Sequence, residues 1–104
     1  MLGKTNIAVL SAALCIPLSV GATGIHQCEA TESADWLSKA QLEEKLEANG
    51  WSVRFMKEDG GCWEVYGTNP DGQRVEGYFH PVTGEAELIS QRGRILFDAT
   101  KEGN

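Results

Sequence analysis

Two histidines, two cysteines and a pair of carboxylates are the residues here whose types and spacing could do chemistry. His26 stands two residues before Cys28, and His80 is expected opposite Cys62 on a hairpin. Together these four could form a tetrahedral zinc set. Their local spacing is only H-x-C, without the C-x-x-C or H-x-x-x-H pairs usual for structural zinc. The competing reading is a disulfide between Cys28 and Cys62, since an even pair of cysteines in an oxidising compartment generally bridges. Closing a loop of that length stabilises by roughly 3–4 kcal/mol in the chain-entropy picture, which a small core can use. Disulfide pairing is the expectation, with metal the alternative. Glu64 and Glu76 share one face of a strand pair, an arrangement that can serve acid–base catalysis. Beside Tyr66, Arg74 and Tyr78 they read instead as ordinary cross-strand surface. Asp59-Gly60-Gly61 and Asp71-Gly72 lack the D-x-D-x-D-G ladder of a calcium loop and read as turns. The sequence contains no G-x-S-x-G motif, and no glycine-rich phosphate loop opens a helix. Neither catalysis nor a resident cofactor or metal is expected.

The elements that position these residues centre on Gly60 to Glu85. In Asn69-Pro70-Asp71-Gly72, Pro70 presets a type I turn and Gly72 accepts the left-handed conformation. This turn closes a hairpin with a bulge. Asn69 then pairs with Gln73, Val65 faces Gly77, and Trp63 faces Phe79. One face carries Trp63, Val65, Val75 and Phe79. The other carries Cys62, Glu64, Tyr66, Arg74, Glu76, Tyr78 and His80. A slip by one residue would mix the two, so alternation and turn chemistry agree on one register. A second turn at Pro81-Val82-Thr83-Gly84 returns the chain as Glu85 to Gln91. If His80 pairs with Glu85, Ala86 and Leu88 join the apolar face and Ile89 points away from it.

Upstream, Ser38 and Gln41 form a capping box, with Leu37 placed to staple onto Leu42. The helix runs from about Lys39 to Ala48 with Leu42 and Leu46 as its apolar stripe. Asn49-Gly50 ends it, and Trp51 is placed to fold back on Leu46 in a Schellman ending. The first strand, Trp51 to Glu58, alternates with Trp51, Val53 and Phe55 on one side and Ser52, Arg54 and Met56 on the other. Arg92-Gly93-Arg94 breaks the pattern, and Ile95-Leu96-Phe97 either adds a short strand or folds under the sheet. The fold class is α+β: one main helix packed on an antiparallel β-meander of about four strands.

The chain has 104 residues, at most one domain. Residues 1–22 read as a secretory signal peptide. Lys4 opens it, and Ile7 to Val20 is apolar apart from Ser11, Pro17 and Ser19. Val20-Gly21-Ala22 offers a cleavage point after Ala22. Such an apolar run is too short to span ~30 Å of hydrocarbon, so no stable membrane insertion is expected after removal. Cys15 follows Leu14, where a lipoprotein signal wants a small residue. Residues 23–34 read as a loosely ordered segment tied down by Cys28, residues 35–97 as the domain, and 98–104 as a tail. Without Lys4, eight basic residues face fifteen acidic ones, a net charge of −7. That repels nucleic acid and anionic membrane. The remaining functional surface is the outer hairpin face, where Tyr66, Arg74, Tyr78 and His80 are residue types favoured at protein interfaces. An edge strand could also accept an extended peptide.

Three stretches carry a family resemblance: Trp63-Glu64-Val65-Tyr66, Asp71-Gly72-Gln73-Arg74-Val75-Glu76 and His80-Pro81-Val82-Thr83-Gly84. With the preceding helix they resemble the PepSY family, most closely its short, exported single-domain members, over roughly Asp35 to Ser90. His80 stands where Asp is common and Trp63 where Tyr is common. The resemblance implies a cystatin-like packing of helix on antiparallel sheet. It also implies a role in modulating or inhibiting a peptidase. The functional expectation is an exported, non-enzymatic interaction domain, periplasmic or secreted, that modulates a peptidase or another envelope protein. The alternative is a small periplasmic metal- or ligand-binding protein using His26, His80 and the acidic face.

Overall fold

A computed structural model describes residues 24–102. The export segment read at residues 1–22, including Lys4 and Cys15, lies outside the described residues. Within them a 3₁₀ turn (Ser33–Asp35) leads to helix α1 (Lys39–Ala48). The strands follow as β1 (Ser52–Asp59), β2 (Cys62–Thr68), β3 (Arg74–Phe79), β4 (Ala86–Gln91) and β5 (Arg94–Asp98), and a short helix α2 (Ala99–Glu102) comes last. The sheet is an antiparallel meander in the order β1-β2-β3-β4-β5. The fold is therefore α+β with one main helix and five strands rather than about four. The added strand contains Ile95-Leu96-Phe97. Arg92 and Gly93 both have positive φ, 52° and 84°, as a two-residue hairpin turn requires.

Helix α1 begins and ends where its side chains dictate. Ser38 Oγ accepts the Gln41 amide at 3.1 Å, and Gln41 Oε1 accepts the Ser38 amide at 2.8 Å, so two otherwise orphaned donors satisfy each other. At the far end the Trp51 amide donates to Leu46 O and the Gly50 amide to Glu47 O, at 3.0 and 3.1 Å. Gly50 takes φ 95°, completing the Schellman pattern. The Leu42–Leu46 stripe buries against Met56, Trp63, Val65 and Phe79, each leucine contributing about 2 kcal/mol. Trp63 and Phe79 are paired side by side on β2 and β3. Trp63 Nε1 donates to Leu37 O at 2.9 Å, which satisfies the one polar atom of a ring otherwise in the core.

The β2–β3 register is the expected one. Trp63 pairs with Phe79, Val65 pairs with Gly77, and the Asn69 amide donates to Gln73 O at 2.9 Å. Two other expectations are corrected by β-bulges, each of which inserts one residue and reverses the facing of all that follow. In β1 the register shifts between Val53 and Phe55. Met56 consequently enters the helix-side core, while Phe55 turns to the opposite face, 54% exposed, 5.6 Å from the Tyr66 ring. Between β3 and β4, Phe79 pairs with Ala86 but Tyr78 pairs with Leu88, which leaves Glu87 as the extra residue. Ala86 joins the helix side as expected. Leu88 instead packs with Cys28, Cys62 and Tyr78 on the opposite face. Ile89, opposite Gly77, then falls on the helix side, where it lines a groove with Trp51, Phe79, Leu96 and Phe97.

Candidate functional site

The face away from α1 is organised by two features, a strap at one end and a cavity at the other. The strap is the segment beginning at Gly24. Cys28 and Cys62 form a disulfide with Cα atoms 5.3 Å apart, and the Cys28 amide donates to Gly60 O at 2.8 Å. Gly60 must be glycine: a Cβ there would stand 2.7 Å from His26 O, at φ 60°. The Gly24 amide donates to Asp59 Oδ2 at 2.8 Å and to Tyr78 Oη at 3.1 Å. His26 Nε2 sits 2.8 Å from Glu87 Oε1, its ring edge-on to Tyr78. Gly24, His26 and Cys28 are thus each bonded to the sheet.

The four residues of the possible interaction face are not brought together as one surface. Arg74 is exposed and Tyr66 half-buried, but Tyr78 is fully buried beneath the strap. His80 faces the turn that follows it. Its Nδ1 accepts the amides of Val82 and Thr83 at 3.1 and 3.3 Å, which leaves the proton on Nε2, 3.1 Å from Glu29 Oε2. The imidazole caps the turn as an aspartate carboxylate does in an Asx turn. The zinc alternative loses its geometry as well. His26, Cys28 and Cys62 do approach one another, but the disulfide removes both thiolates, and His80 is engaged elsewhere.

The two carboxylates differ. Glu64 is fully buried, and neither oxygen has a hydrogen-bond partner among the described residues. Lys57 Nζ stands 4.0 Å away. Burial pushes the Glu64 pKa up, Asp59 adds to this, and the nearby Tyr66 hydroxyl and Lys57 charge only partly offset it. Burial likewise raises the pKa of Glu76, whose Oε1 has no hydrogen-bond partner among the described residues. Glu76 lines a cavity of about 180 Å³ with Arg54, Arg74, Arg92, Tyr66 and Ser90. Glu64 is not part of that lining. Sequence reasoning singled out Arg74 and Tyr66 but missed Arg54, Arg92 and Ser90. The signal available for Arg92 was the Arg-Gly-Arg turn, which the β3–β4 register brings back beside Arg74.

The geometry is thus a small α+β domain whose sheet is strapped on the face away from α1. The family profile described as peptidase propeptide and YPEB domain matches residues 6–87, and the protein belongs to that PepSY family. No curated protein matches it. No solved structure matches it either. The match ends within β4, so Arg92, Arg94 and β5 lie beyond the matched residues.

Proposed function

We propose that this protein is an exported, non-enzymatic interaction domain that modulates or inhibits a peptidase or another envelope protein. The observation that carries the reading is the family match over residues 6–87, to a domain named for peptidase propeptides. The Cys28–Cys62 bridge suits an oxidising compartment outside the cytoplasm. Among the described residues no helix is long and apolar enough to cross a membrane. A net charge of −7 after that cleavage favours a protein partner over nucleic acid or anionic lipid.

The test is direct. The exported protein is purified, its N-terminus determined, and its effect measured on peptidases of the same envelope at roughly tens of micromolar, where a weak but specific complex is populated. Saturable inhibition or a shifted cleavage pattern is the expected result. A mature protein that begins before Thr23 overturns the cleavage after Ala22, and one that keeps residues 1–22 overturns the export reading. Unchanged turnover, with no complex formed by crosslinking in the native envelope, overturns the modulatory one.

A further inference from the structure

The sequence contains four arginines, Arg54, Arg74, Arg92 and Arg94, and the fold draws them to one end of the sheet. Arg54 is the bulge residue of β1, Arg74 opens β3, Arg92 lies in the β4–β5 turn and Arg94 opens β5. Among the described residues the ion pairs are His26–Glu87, Lys57–Glu64 and His80–Glu29, and none includes an arginine. Arg94 Nη2 donates to Gln91 Oε1 at 3.0 Å, and Gln91 Nε2 donates to Arg74 O at 3.2 Å. That pair of bonds ties the turn to the start of β3 and leaves the guanidinium of Arg74 without an anion among the described residues.

Three observations say that this end is built for a ligand. Arg54, Arg74 and Arg92 line the 180 Å³ cavity together, although like charges repel and the protein has acidic residues to spare. Ser90 in its wall is fully buried with an unpartnered Oγ, and a buried hydroxyl left unsatisfied is costly. Arg92 holds φ 52° at a turn position where Asn or Gly is comfortable and a long side chain is strained.

We propose that this cavity receives a carboxylate of a protein partner, either from an acidic residue or from the partner's terminal carboxyl group. A guanidinium matches a carboxylate with two parallel hydrogen bonds, and the Ser90 hydroxyl supplies a further donor from the wall. Glu76 in the same lining disfavours a dianion such as phosphate more than it disfavours a single carboxylate charge. This deepens the reading of the protein as an interaction domain and rests on it.

Three N-acetylated hexapeptides test the site against the protein as its host exports it, by calorimetry at low salt. One has two internal glutamates and an amidated end, one has glutamines in their place, and one has glutamines with a free terminal carboxylate. Binding of a carboxylate-bearing peptide about tenfold or more tighter than the amidated glutamine peptide, weakening as salt rises, is expected. Whichever of the two binds tighter names the source. Arg74→Gln should weaken binding about tenfold. Arg92→Asn should also weaken it while raising the melting temperature by a few degrees, a pairing of effects that misfolding cannot produce. Indistinguishable peptides overturn the proposal. So does tighter binding of inorganic phosphate, or binding that survives the combined Arg54→Gln, Arg74→Gln and Arg92→Asn change. If the peptides fail while the protein still inhibits a peptidase, the interaction reading stands and only this site falls.

Discussion

Tyr78 donates its hydroxyl to Asp59 Oδ2 at 3.0 Å, and the same carboxylate oxygen accepts the Gly24 amide at 2.8 Å. One buried phenol thus joins β3, the end of β1 and the strap. Tyr78→Phe keeps the ring's packing against Leu88 and the disulfide but deletes this junction. Unfolding in urea should show a loss of about 1–2 kcal/mol, and hydrogen exchange should show the amides around Gly24 to His26 opening faster than those of β2. Unchanged exchange there would mean that the disulfide alone holds the strap.

Met56 and Phe55 give opposite predictions from adjacent positions. Met56 is buried against Leu42 and Leu46, so Met56→Ala should cost about 2–4 kcal/mol. Phe55 is 54% exposed, and Phe55→Ala should cost under about 1 kcal/mol. Thermal melts of the two variants decide the β1 register. Equal costs, or a reversal, would remove the bulge at Arg54.

These residues also mark where the sequence stops being legible. Turn residues and helix caps act over four or five positions, so the Asn69–Gly72 hairpin, the Ser38–Gln41 box and the Gly50–Trp51 ending could be read directly. A bulge has no comparable signature. Val53, Phe55 and Met56 are all apolar, so alternation reads equally well with either facing. Leu88 and Ile89 are ambiguous for the same reason, and their true facing depends on Cys28 and Phe97, which are remote in sequence. The arginine cavity needs four segments in register at once. Only Arg74, on the well-determined hairpin, could be placed in advance.

The Cys28–Cys62 bridge closes a separation of 34 residues and pins the strap over Tyr78. Replacing both cysteines with serine should lower stability by about 3–4 kcal/mol, read from urea midpoints, without changing the β2–β3 register. Reduction of the unmodified protein should give the same loss. A drop below about 1 kcal/mol would mean that the hydrogen bonds from Gly24 and Cys28 hold the strap in place unaided.

Glu64 gives a pH-dependent prediction. Its folded pKa is raised above the ordinary 4.5 by burial, so the folded state holds the proton more tightly than the unfolded state does. The stabilisation from that proton is fully present below about 4.5 and is lost as pH rises through the folded value. Glu64→Gln removes the titration. The variant should gain on the unmodified protein by roughly 1–3 kcal/mol near pH 7, the scale of a buried polar group whose hydrogen bonds are unmet, and the gap should narrow as pH falls toward 4. Melts across that range check it. A gap that stays constant or widens on acidification contradicts a Glu64 carboxyl raised by burial.

His80 separates shape from charge at the second turn. Its Nδ1 accepts two backbone amides, whereas its Nε2 partner Glu29 is exposed and the contact is worth little against water. An aspartate carboxylate reaches the same two amides from the same position. His80→Asp should therefore hold stability to within about 0.5 kcal/mol, while His80→Ala, which leaves both donors unmet, should lose about 1 kcal/mol. Chemical denaturation of the two variants distinguishes these outcomes. If Asp proves as costly as Ala, the imidazole matters for its packing rather than as an acceptor.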